Sequence, residues 1–541
     1  MAYVVTRSCC ADASCVVACP VNCIHPAPGD PGFGDAEMLY IDATSCVGCG
    51  ACVTACPVGA IVPDTTLRDD QLPFVALAAD YYDVFPHADR APLAPVPAQR
   101  RLARSGPFRM AVVGAGPAGL YAADELLTHP EIAVDVYDRL PTPHGLVRAG
   151  VAPDHPDTKA VEHLFRRVEE HDRFRYFLNV TIGRDLRLAD LRAHYDVVVY
   201  AVGAASDRQL GIPGEHLRGS LSATAVVGWY NGHPDHADLD VPLDTERAVV
   251  IGTGNVALDV ARILTTDPAV LERTDMAALP WATVSRSRVR EVVVLGRRGA
   301  EHAAFTTPEL VALAGRGDID LMVEGNVPAG PTERQRLLRQ VADRTPRTGR
   351  PRIVLRFDSV PTEVLGDRRA TGVRLADGEV IEAGLVIRAI GYHGEPVADL
   401  PYDAATGTVP HVRGRVEPGV YVAGWAKRGP SGFIGTNKTC AQETVATLLD
   451  DLDSGRLPTP VGAAASVETV VRGRCPDVVD LAGWRAIDAE ERRRGAARGR
   501  PRAKMVAVDE MLRVARSVTG STGLRRYPER RARRSPEALI S

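Results

Sequence analysis

The chain has 541 residues, of which 45% are hydrophobic and 24% are charged, and its formal net charge is -4. This length suggests about three domains, and the nearly balanced charge gives no sign of a nucleic-acid partner. Because the sequence has no apolar run of about 18 residues, we expect no membrane insertion. Nine of the 11 cysteines lie before residue 57, which indicates metal ligation in a reducing compartment. With no apolar signal segment at the start, we expect a cytoplasmic protein.

The first motif is the stretch SCVGCGACVTACPVGAI at residues 45–61, which contains the pattern C-x2-C-x2-C-x3-C-P. In such a run three closely spaced thiolates hold one iron–sulfur cluster, and the fourth cysteine completes a second cluster. A structural zinc site is the alternative, but zinc sites favour separated C-x2-C pairs. The predicted ligands of this run are Cys46, Cys49, Cys52 and Cys56.

Residues 8–24 repeat this pattern with one change, because Asp12 stands where the later copy has Cys49. If the fourth cysteines are exchanged between copies, Cys19 completes the later cluster and Cys56 completes the earlier one. The earlier cluster then has three thiolates, and carboxylate is a poorer ligand for cluster iron than thiolate. We therefore expect one [4Fe-4S] cluster and one [3Fe-4S] cluster, or a second [4Fe-4S] cluster with a labile iron. The predicted ligands of the first copy are Cys9, Cys15 and Cys19.

A glycine motif, GAGPAG at residues 114–119, follows an apolar strand and opens a helix. In a dinucleotide-binding turn of this type, Gly114 makes the tight turn, Gly116 admits the pyrophosphate and Gly119 lets the helix pack on the sheet. The next strand ends at Asp138, where an acid can bind a ribose hydroxyl pair. The sequence therefore predicts a first dinucleotide site here.

A second glycine motif, GTGNVA, occupies residues 252–257. The strand that follows ends in LGRR, which places Arg297 and Arg298 where the first site has its acid. Two guanidinium groups suit a 2′-phosphate, so this site is predicted to prefer NADP over NAD. The alternative is that the two arginines only cover the edge of the sheet.

The predicted fold class is α/β, with two doubly wound, Rossmann-like domains that follow a small Cys-rich domain, which resembles the α+β fold of bacterial ferredoxins. The ferredoxin domain spans residues 1–75, and a linker rich in Pro and Ala spans residues 76–107. One acid-type site and one arginine-type site suggest FAD first and NADP(H) second. We assign residues 108–204 and 391–541 to the FAD-binding domain and residues 205–390 to the NADP-binding domain.

The chain resembles two known families. Residues 1–70 resemble the seven-iron bacterial ferredoxins, although the spacing here is Cys-x2-Asp-x2-Cys. Residues 108–515 resemble the adrenodoxin-reductase type of ferredoxin–NADP reductase. The residues that carry this resemblance are VVGAGPAGLYAADELL, LPTPHGLVRAGVAPDHPDTK, IGTGNVALDVAR, RRGAEHAAFTTPEL and YVAGWAKRGPSGFIGTNK. The whole chain looks like the bacterial fusions of a ferredoxin to such a reductase.

The resemblance implies a set of site residues. Two of them are catalytic candidates, His155 and Glu309, and His155 either acts directly or only ties down its loop. Some family members carry a second Glu one turn after Glu309, where this chain has Ala312. The implied FAD contacts are Ala118, Asp138, Leu146, Val180, Trp425, Gly432, Phe433 and Ile434. The implied NADP contacts are Thr253, Gly254, Asn255, Val256, Arg297, Arg298 and Glu309, with Gly432 near the nicotinamide.

Together these features predict an NADPH–ferredoxin oxidoreductase with its own ferredoxin attached. NADPH would give a hydride to FAD, and single electrons would pass to the clusters. The final acceptor would be a ferredoxin, a cytochrome P450 or another redox protein. Two alternatives remain: an NADPH-oxidising flavoprotein subunit of a larger enzyme complex, and a non-catalytic redox sensor. The Arg-rich tail from about residue 486 is a solvated helix face or a docking surface for an acidic partner.

Overall fold

The structure, a computed structural model, describes residues 2–519 except 94–99, 331, 348, 461 and 463–465. The N-terminal part, here called the head, is built from two short antiparallel sheets, in which β1 pairs with β4 and β2 pairs with β3, and from three helices. Its elements are β1 (Tyr3–Val5), α1 (Ser14–Ala18), β2 (Ile24–His25), β3 (Tyr40–Ile41), α2 (Ala51–Ala55), β4 (Ile61–Pro63) and α3 (Pro73–Val84).

The sequence repeat of the head is also a structural repeat. Helix α1 follows Ala13 at φ 58°, and helix α2 follows Gly50 at φ 75°, so the two helices start from the same left-handed turn. Each helix ends at a cysteine with extended backbone, Cys19 or Cys56. A left-handed alanine costs free energy that a glycine does not, so the first copy keeps the turn at some energetic expense.

The region predicted as a linker, residues 76–107, is partly helical and packed. Helix α3 continues to Val84, and Phe74 and Leu77 on it are buried in the head. Tyr82 Oη donates to the carbonyl of Cys23 at 2.9 Å. After the residues that are not described, Arg100 forms an ion pair with Asp450 at 2.8 Å. The described parts of this region are therefore attached to the head on one side and to the rest of the chain on the other.

A second unit begins with a parallel sheet. Residues 108–200 alternate short strands and helices, as the uncharged β-branched runs predict. The elements are β5 (Phe108–Val113), α4 (Pro117–Leu127), β6 (Ile132–Asp138), α5 (Gly145–Ala149), α6 (Pro156–Lys159), α7 (Glu162–Glu169), β7 (Phe174–Leu178), α8 (Leu188–Arg192) and β8 (Val197–Tyr200).

A third unit follows with its own parallel six-stranded sheet, in the order β10-β18-β11-β12-β14-β13, and a three-stranded antiparallel sheet, β15-β16-β17. Its elements are β9 (Ser206–Asp207), β10 (Ser220–Ser222), α9 (Ala223–Asn231), β11 (Arg247–Ile251), α10 (Asn255–Thr265), α11 (Pro268–Glu272), α12 (Ala278–Val284), β12 (Glu291–Leu295), α13 (Thr307–Ala314), β13 (Asp320–Glu324), α14 (Glu333–Ala342), β14 (Arg352–Arg356), β15 (Pro361–Leu365), β16 (Gly372–Leu375), β17 (Val380–Glu382) and β18 (Leu385–Arg388).

The chain then returns to the second unit and completes its sheet, whose order is β20-β21-β8-β5-β6-β7. These two doubly wound sheets confirm the predicted α/β fold class. Each of the described helices is too short or too polar to cross a bilayer. The remaining elements are β19 (Tyr392–His393), β20 (Arg415–Glu417), β21 (Val420–Val422), α15 (Trp425–Arg428), α16 (Ile434–Asp453), α17 (Val467–Arg474), α18 (Leu481–Ala496) and α19 (Val508–Thr519).

The Arg-rich tail is not a solvated face throughout. Arg493 is exposed and pairs with Glu490 at 2.7 Å, as that interpretation requires. Arg502, however, is buried and donates to Glu162 at 2.9 Å, and it also forms an ion pair with Glu491 at 3.3 Å. The segment that contains Arg502 is therefore part of the folded core. The second basic stretch of the tail, residues 524–534, lies outside the described residues.

Candidate functional site

The first glycine turn has two glycines that the fold requires and one that it does not. A Cβ on Gly114, which has φ 110°, would lie 2.4 Å from the carbonyl oxygen of Ala201. A Cβ on Gly119 would lie 1.9 Å from the carbonyl oxygen of Gly114. At Gly116 the nearest protein atom would be 3.9 Å away, on Gly145. The open space at Gly116 fits the close approach of a pyrophosphate, which is the role that the sequence predicts for it.

Asp138 lies at the end of β6, beside this turn. Its carboxylate accepts hydrogen bonds from the backbone amides of Ala115 at 2.8 Å and Leu140 at 2.9 Å. Burial raises the pKa of this carboxyl. Asp138 therefore also holds the glycine turn in place, a role that the sequence motif does not reveal. Two other implied FAD contacts are nearby: Val180, whose amide donates to the carbonyl of Asp138 at 2.8 Å, and Leu146, on α5.

The starts of two later helices lie against the same turn. A Cβ on Gly424, the residue before α15, would be 2.5 Å from the Cβ of Ala118 in α4 and 3.6 Å from Oδ1 of Asn437 in the first turn of α16. Gly432 has φ 75°, and the amide of Phe433 donates to Thr436 Oγ1 at 2.9 Å to cap α16. The amino ends of α4 and α16 therefore lie at one place, where helix N-termini stabilise negative charge.

Trp425 begins α15 and Ile434 begins α16. The indole Nε1 of Trp425 donates to the carbonyl of Ser431 at 3.1 Å, and its ring lies 5.0 Å from the ring of Tyr392. These contacts fix the indole between the return strand β19 and the loop before α16. Trp425, one of the implied FAD residues of the C-terminal part, thus has a fixed position next to the loop that leads into α16.

The second glycine turn joins β11 to α10. A Cβ on Gly252, at φ 122°, would lie 2.3 Å from the carbonyl oxygen of Ala389, whereas a Cβ on Gly254 would meet no atom within 4 Å. As in the first turn, one glycine is required by the fold and another leaves open space for a ligand. This arrangement fits a second dinucleotide.

The three residues around Gly254 connect this turn to the next loop. Thr253 Oγ1 accepts a hydrogen bond from the amide of Ala304 at 3.3 Å, and Asn255 Oδ1 accepts one from the amide of Thr306 at 2.8 Å. Val256 follows in the first turn of α10. Thr306 is the residue that precedes α13. The nucleotide turn and the start of α13 are therefore tied together.

Arg297 and Arg298 come one residue after the end of β12, beyond Gly296, and are exposed. Within the part of the chain that the structure describes, neither guanidinium group has an ion-pair partner. Arg356, at the end of the neighbouring strand β14, in contrast donates to Glu379 at 2.7 Å. The unpaired state of both side chains fits a role toward an anionic group of the ligand.

The two catalytic candidates come together although they belong to different units. Arg7 of the head donates to Glu309 Oε2 from Nη2 at 2.7 Å and from Nε at 3.1 Å, and its Nη2 also contacts His155 Nε2. Burial, Arg262 and Arg7 lower the pKa of His155 to about 3. Burial raises the pKa of the neighbouring Asp259 to about 6. Burial acts to raise the pKa of Glu309, but the positive charge of Arg7 outweighs it, so the pKa of Glu309 is lowered.

Four of the predicted cluster ligands line one cavity of the head. They share it with Cys23, which matches Ala60 in the repeat and which we interpret from the sequence as a buried non-ligand. Cys23 Sγ lies 3.5 Å from Cys19 Sγ, and the hydrogen bond from Cys23 lowers the pKa of Cys19 to about 5. The four ligands are Cys19, Cys46, Cys49 and Cys52.

The other three cysteines form a second group with Asp12. Burial raises the pKa of Cys15, and the nearby charges of Cys9, Asp12 and Cys56 raise it further. Asp12 is 8% exposed. Its Oδ1 accepts from the amide of Ser14 at 3.3 Å, and its Oδ2 lies 3.4 Å from Lys438 Nζ. The structure thus brings together the two ligand sets that the exchange of fourth cysteines predicts.

These features define a pyridine-nucleotide oxidoreductase that carries an iron–sulfur domain. Comparison with known families agrees. Residues 108–296 match the family described as pyridine nucleotide-disulphide oxidoreductase, and residues 39–62 match the 4Fe-4S binding domain. The chain is 50% identical over 543 residues to the probable ferredoxin/ferredoxin–NADP reductase of Mycobacterium leprae, covering 95% of this chain and 98% of that protein. The chain belongs to this family of fused ferredoxin/ferredoxin–NADP reductases.

A second group of relatives lacks the head. The NADPH-ferredoxin reductase FprA of Mycobacterium tuberculosis is 42% identical over 451 residues, which cover 75% of this chain and 99% of that protein. The solved structure of M. tuberculosis FprA in complex with NADPH superposes with a TM-score of 0.71 at 41% identity, over 76% of this chain and 100% of that chain. The resemblances predicted from the sequence, to a ferredoxin and to a reductase of this type, are both confirmed.

Proposed function

We propose that the protein moves electrons between NADPH and iron–sulfur acceptors through FAD, with its own head as the first acceptor. When bound, FAD accepts a hydride and the clusters carry single electrons. The observation that carries the proposal is the position of the head. The carbonyl of Cys10 accepts a hydrogen bond at 2.8 Å from the amide of Gly435, in the first turn of α16. The cysteine loop of the head therefore lies at the helix end that faces the proposed flavin site.

The chain provides the cofactor sites from residues whose surroundings suit each group. For FAD these are the two helix N-termini with the open space at Gly116, and for NADP(H) the open space at Gly254. We assign to FAD Gly114, Gly116, Ala118, Gly119, Asp138, Leu146, Val180, Trp425, Gly432, Phe433 and Ile434. We assign to NADP(H) Thr253, Gly254, Asn255, Val256, Arg297, Arg298 and Glu309.

The two groups of cysteines would hold two different clusters. Cys19, Cys46, Cys49 and Cys52 provide four thiolates for a [4Fe-4S] cluster, and the hydrogen bond from Cys23 supports the thiolate form of Cys19. Cys9, Cys15 and Cys56 provide three thiolates. Because both oxygens of Asp12 already have partners in Ser14 and Lys438, we propose a [3Fe-4S] cluster there, with a second [4Fe-4S] cluster as the alternative.

The acceptor outside the chain would be a ferredoxin, a cytochrome P450 or another redox protein. Support comes from the relatives that are named NADPH-ferredoxin reductase. Cys49 is exposed and Val47 beside it is 63% exposed, so the four-thiolate group lies near the surface of the head. A head rich in thiolates suits a reducing compartment, which supports a cytoplasmic location.

The choice of nucleotide tests the second site. Changing both Arg297 and Arg298 to Ala should raise the KM for NADPH about tenfold to a hundredfold, since two charge-assisted hydrogen bonds to the 2′-phosphate are lost. The KM for NADH, which lacks this phosphate, should change little. Arg290→Ala removes an exposed charge at the opposite end of β12 and is the control. Equal use of NADPH and NADH by the unaltered protein would contradict the assignment.

The whole proposal is tested by anaerobic titration of the full chain with NADPH, with absorbance recorded for the flavin and for the clusters. We expect NADPH to bleach both the flavin absorbance and the cluster absorbance. The same amount of NADH should bleach both much less. Bleaching of the flavin with no change in the cluster absorbance would show that the head does not accept electrons from this reductase.

A further inference from the structure

The head lies across the cleft between the second unit, which is the proposed FAD-binding unit, and the third unit, which is the proposed NADP-binding unit. On the FAD side, the amide of Gly435 donates to the carbonyl of Cys10, and Lys438 Nζ donates to Ser14 Oγ at 2.9 Å. On the NADP side, Glu37 Oε2 accepts from the amide of Thr307, the first residue of α13, at 2.8 Å. The docked head therefore touches both walls of the cleft.

Arg7 is the residue of the head that enters this cleft. His155 comes from the FAD-binding unit and Glu309 from the NADP-binding unit, and the guanidinium group of Arg7 lies between them. The side chain of Arg7 is 29% exposed and that of Glu309 is 16% exposed. A charge pair that is largely buried is screened less by salt than a surface pair. Arg7 therefore both fills the space between the two walls and holds the head there.

The same cleft is the route that a bound NADP(H) has to take. A dinucleotide held at the turn between β11 and α10 must reach from there to a flavin held at the N-termini of α4 and α16. Asn255, at the start of α10, accepts a hydrogen bond from the amide of Thr306, and Glu309 is the third residue of α13, the helix that follows Thr306. The carboxylate that Arg7 occupies thus lies beside the nucleotide turn and faces the FAD side.

We propose that Arg7 makes docking of the head and binding of NADP(H) compete. This inference rests on the proposed function of the two glycine turns, and it adds a residue of the ferredoxin head to the reductase site. In the docked state Arg7 pairs with Glu309 and closes the cleft. When NADP(H) enters, Arg7 has to leave, and the head loosens. Thermodynamic linkage requires that bound NADP(H) weakens docking of the head by the same factor as docking weakens the binding of NADP(H).

The test is the affinity of the oxidised full-length chain for NADP+, measured by calorimetry. Arg7→Ala removes the pair with Glu309. Gly435→Ala displaces the head independently, because the added Cβ would lie 2.3 Å from the carbonyl carbon of Ala11. Both variants should bind NADP+ at least about fivefold more tightly, the lower end of usual coupling effects. Arg68→Ala, which removes an exposed head arginine that pairs with Asp70, should bind as the unaltered chain does. Flavin and iron contents identify variants that have kept their cofactors.

Hydrogen exchange gives a second, independent readout. Addition of NADP+ to the unaltered chain should raise exchange in the peptide that contains Gly435, because its amide is bonded to Cys10 only while the head is docked. Unchanged affinity in both variants, with no change in exchange, would overturn the competition and leave the proposed function standing. Weaker binding in Arg7→Ala would overturn it too, and would show that Arg7 helps to hold the nucleotide. Failure of every variant and of the unaltered chain to bind NADP+ would instead contradict the proposed function.

Discussion

At the scale of single residues, the glycines of the two turns differ in what surrounds them. Gly119→Ala places a Cβ 1.9 Å from the carbonyl oxygen of Gly114, so α4 has to move away from the sheet. We expect loss of FAD and a lower free energy of unfolding, by about 1–3 kcal/mol as for other overpacked sites. Gly254→Ala meets no atom within 4 Å and should fold normally, but with a KM for NADPH raised several-fold. Flavin content, denaturant unfolding and kinetics would show the difference. Full flavin content and normal stability in Gly119→Ala would contradict this account.

The proposed [3Fe-4S] cluster gives a second test at a single residue, Asp12. Protein purified in air should show the electron paramagnetic resonance signal of an oxidised [3Fe-4S] cluster and about seven irons per chain, because the group around Cys15 has three thiolates. Asp12→Cys should remove this signal and raise the iron content to about eight. Asp69→Cys adds a thiol at an exposed position of the head and should change neither quantity. Persistence of the signal in Asp12→Cys would mean that residue 12 does not face the open position.

At the scale of elements, helix α3 (Pro73–Val84) extends the head beyond residue 75, the boundary predicted from the sequence. A fragment of residues 1–75 ends inside this helix and loses most of it, including Leu77, which is buried in the head. Complete burial of one such side chain stabilises by about 1.5–3 kcal/mol. We therefore expect a fragment of residues 1–93 to keep its cluster absorbance to a higher temperature than residues 1–75. Equal thermal stability of the two fragments would show that α3 belongs to the linker.

What the sequence predicts depends on how local the signal is. The strand, glycine turn and helix that contain Gly116, and those that contain Gly254, form continuous motifs, and the structure has them where the motifs predict. The pair of Arg7 and Glu309 joins residues 302 positions apart, and no local pattern marks Arg7. The burial of Arg502 could not be predicted for another reason. A run of arginines predicts solvent exposure, but in the structure Arg502 pairs with two buried carboxylates, those of Glu162 and Glu491.

At the scale of the whole molecule, the central claim is that the head receives its electrons from the reductase to which it is fused. In the docked arrangement, the amide of Gly435 donates a hydrogen bond to the cysteine loop. The covalent connection between the head and the reductase keeps the head at an effective concentration of the order of millimolar. A free ferredoxin at micromolar concentration cannot compete with such a head. The attached head should therefore dominate the transfer to outside acceptors.

The most direct test compares the full chain with a chain that lacks residues 1–99, a cut that keeps the contact of Arg100 with Asp450. Both proteins receive NADPH, and the reduction of ferricyanide and of cytochrome c is measured. We predict ferricyanide rates within about twofold of each other, and a loss of at least about tenfold in cytochrome c reduction that added free ferredoxin restores. Equal rates of cytochrome c reduction by the two proteins would contradict the account.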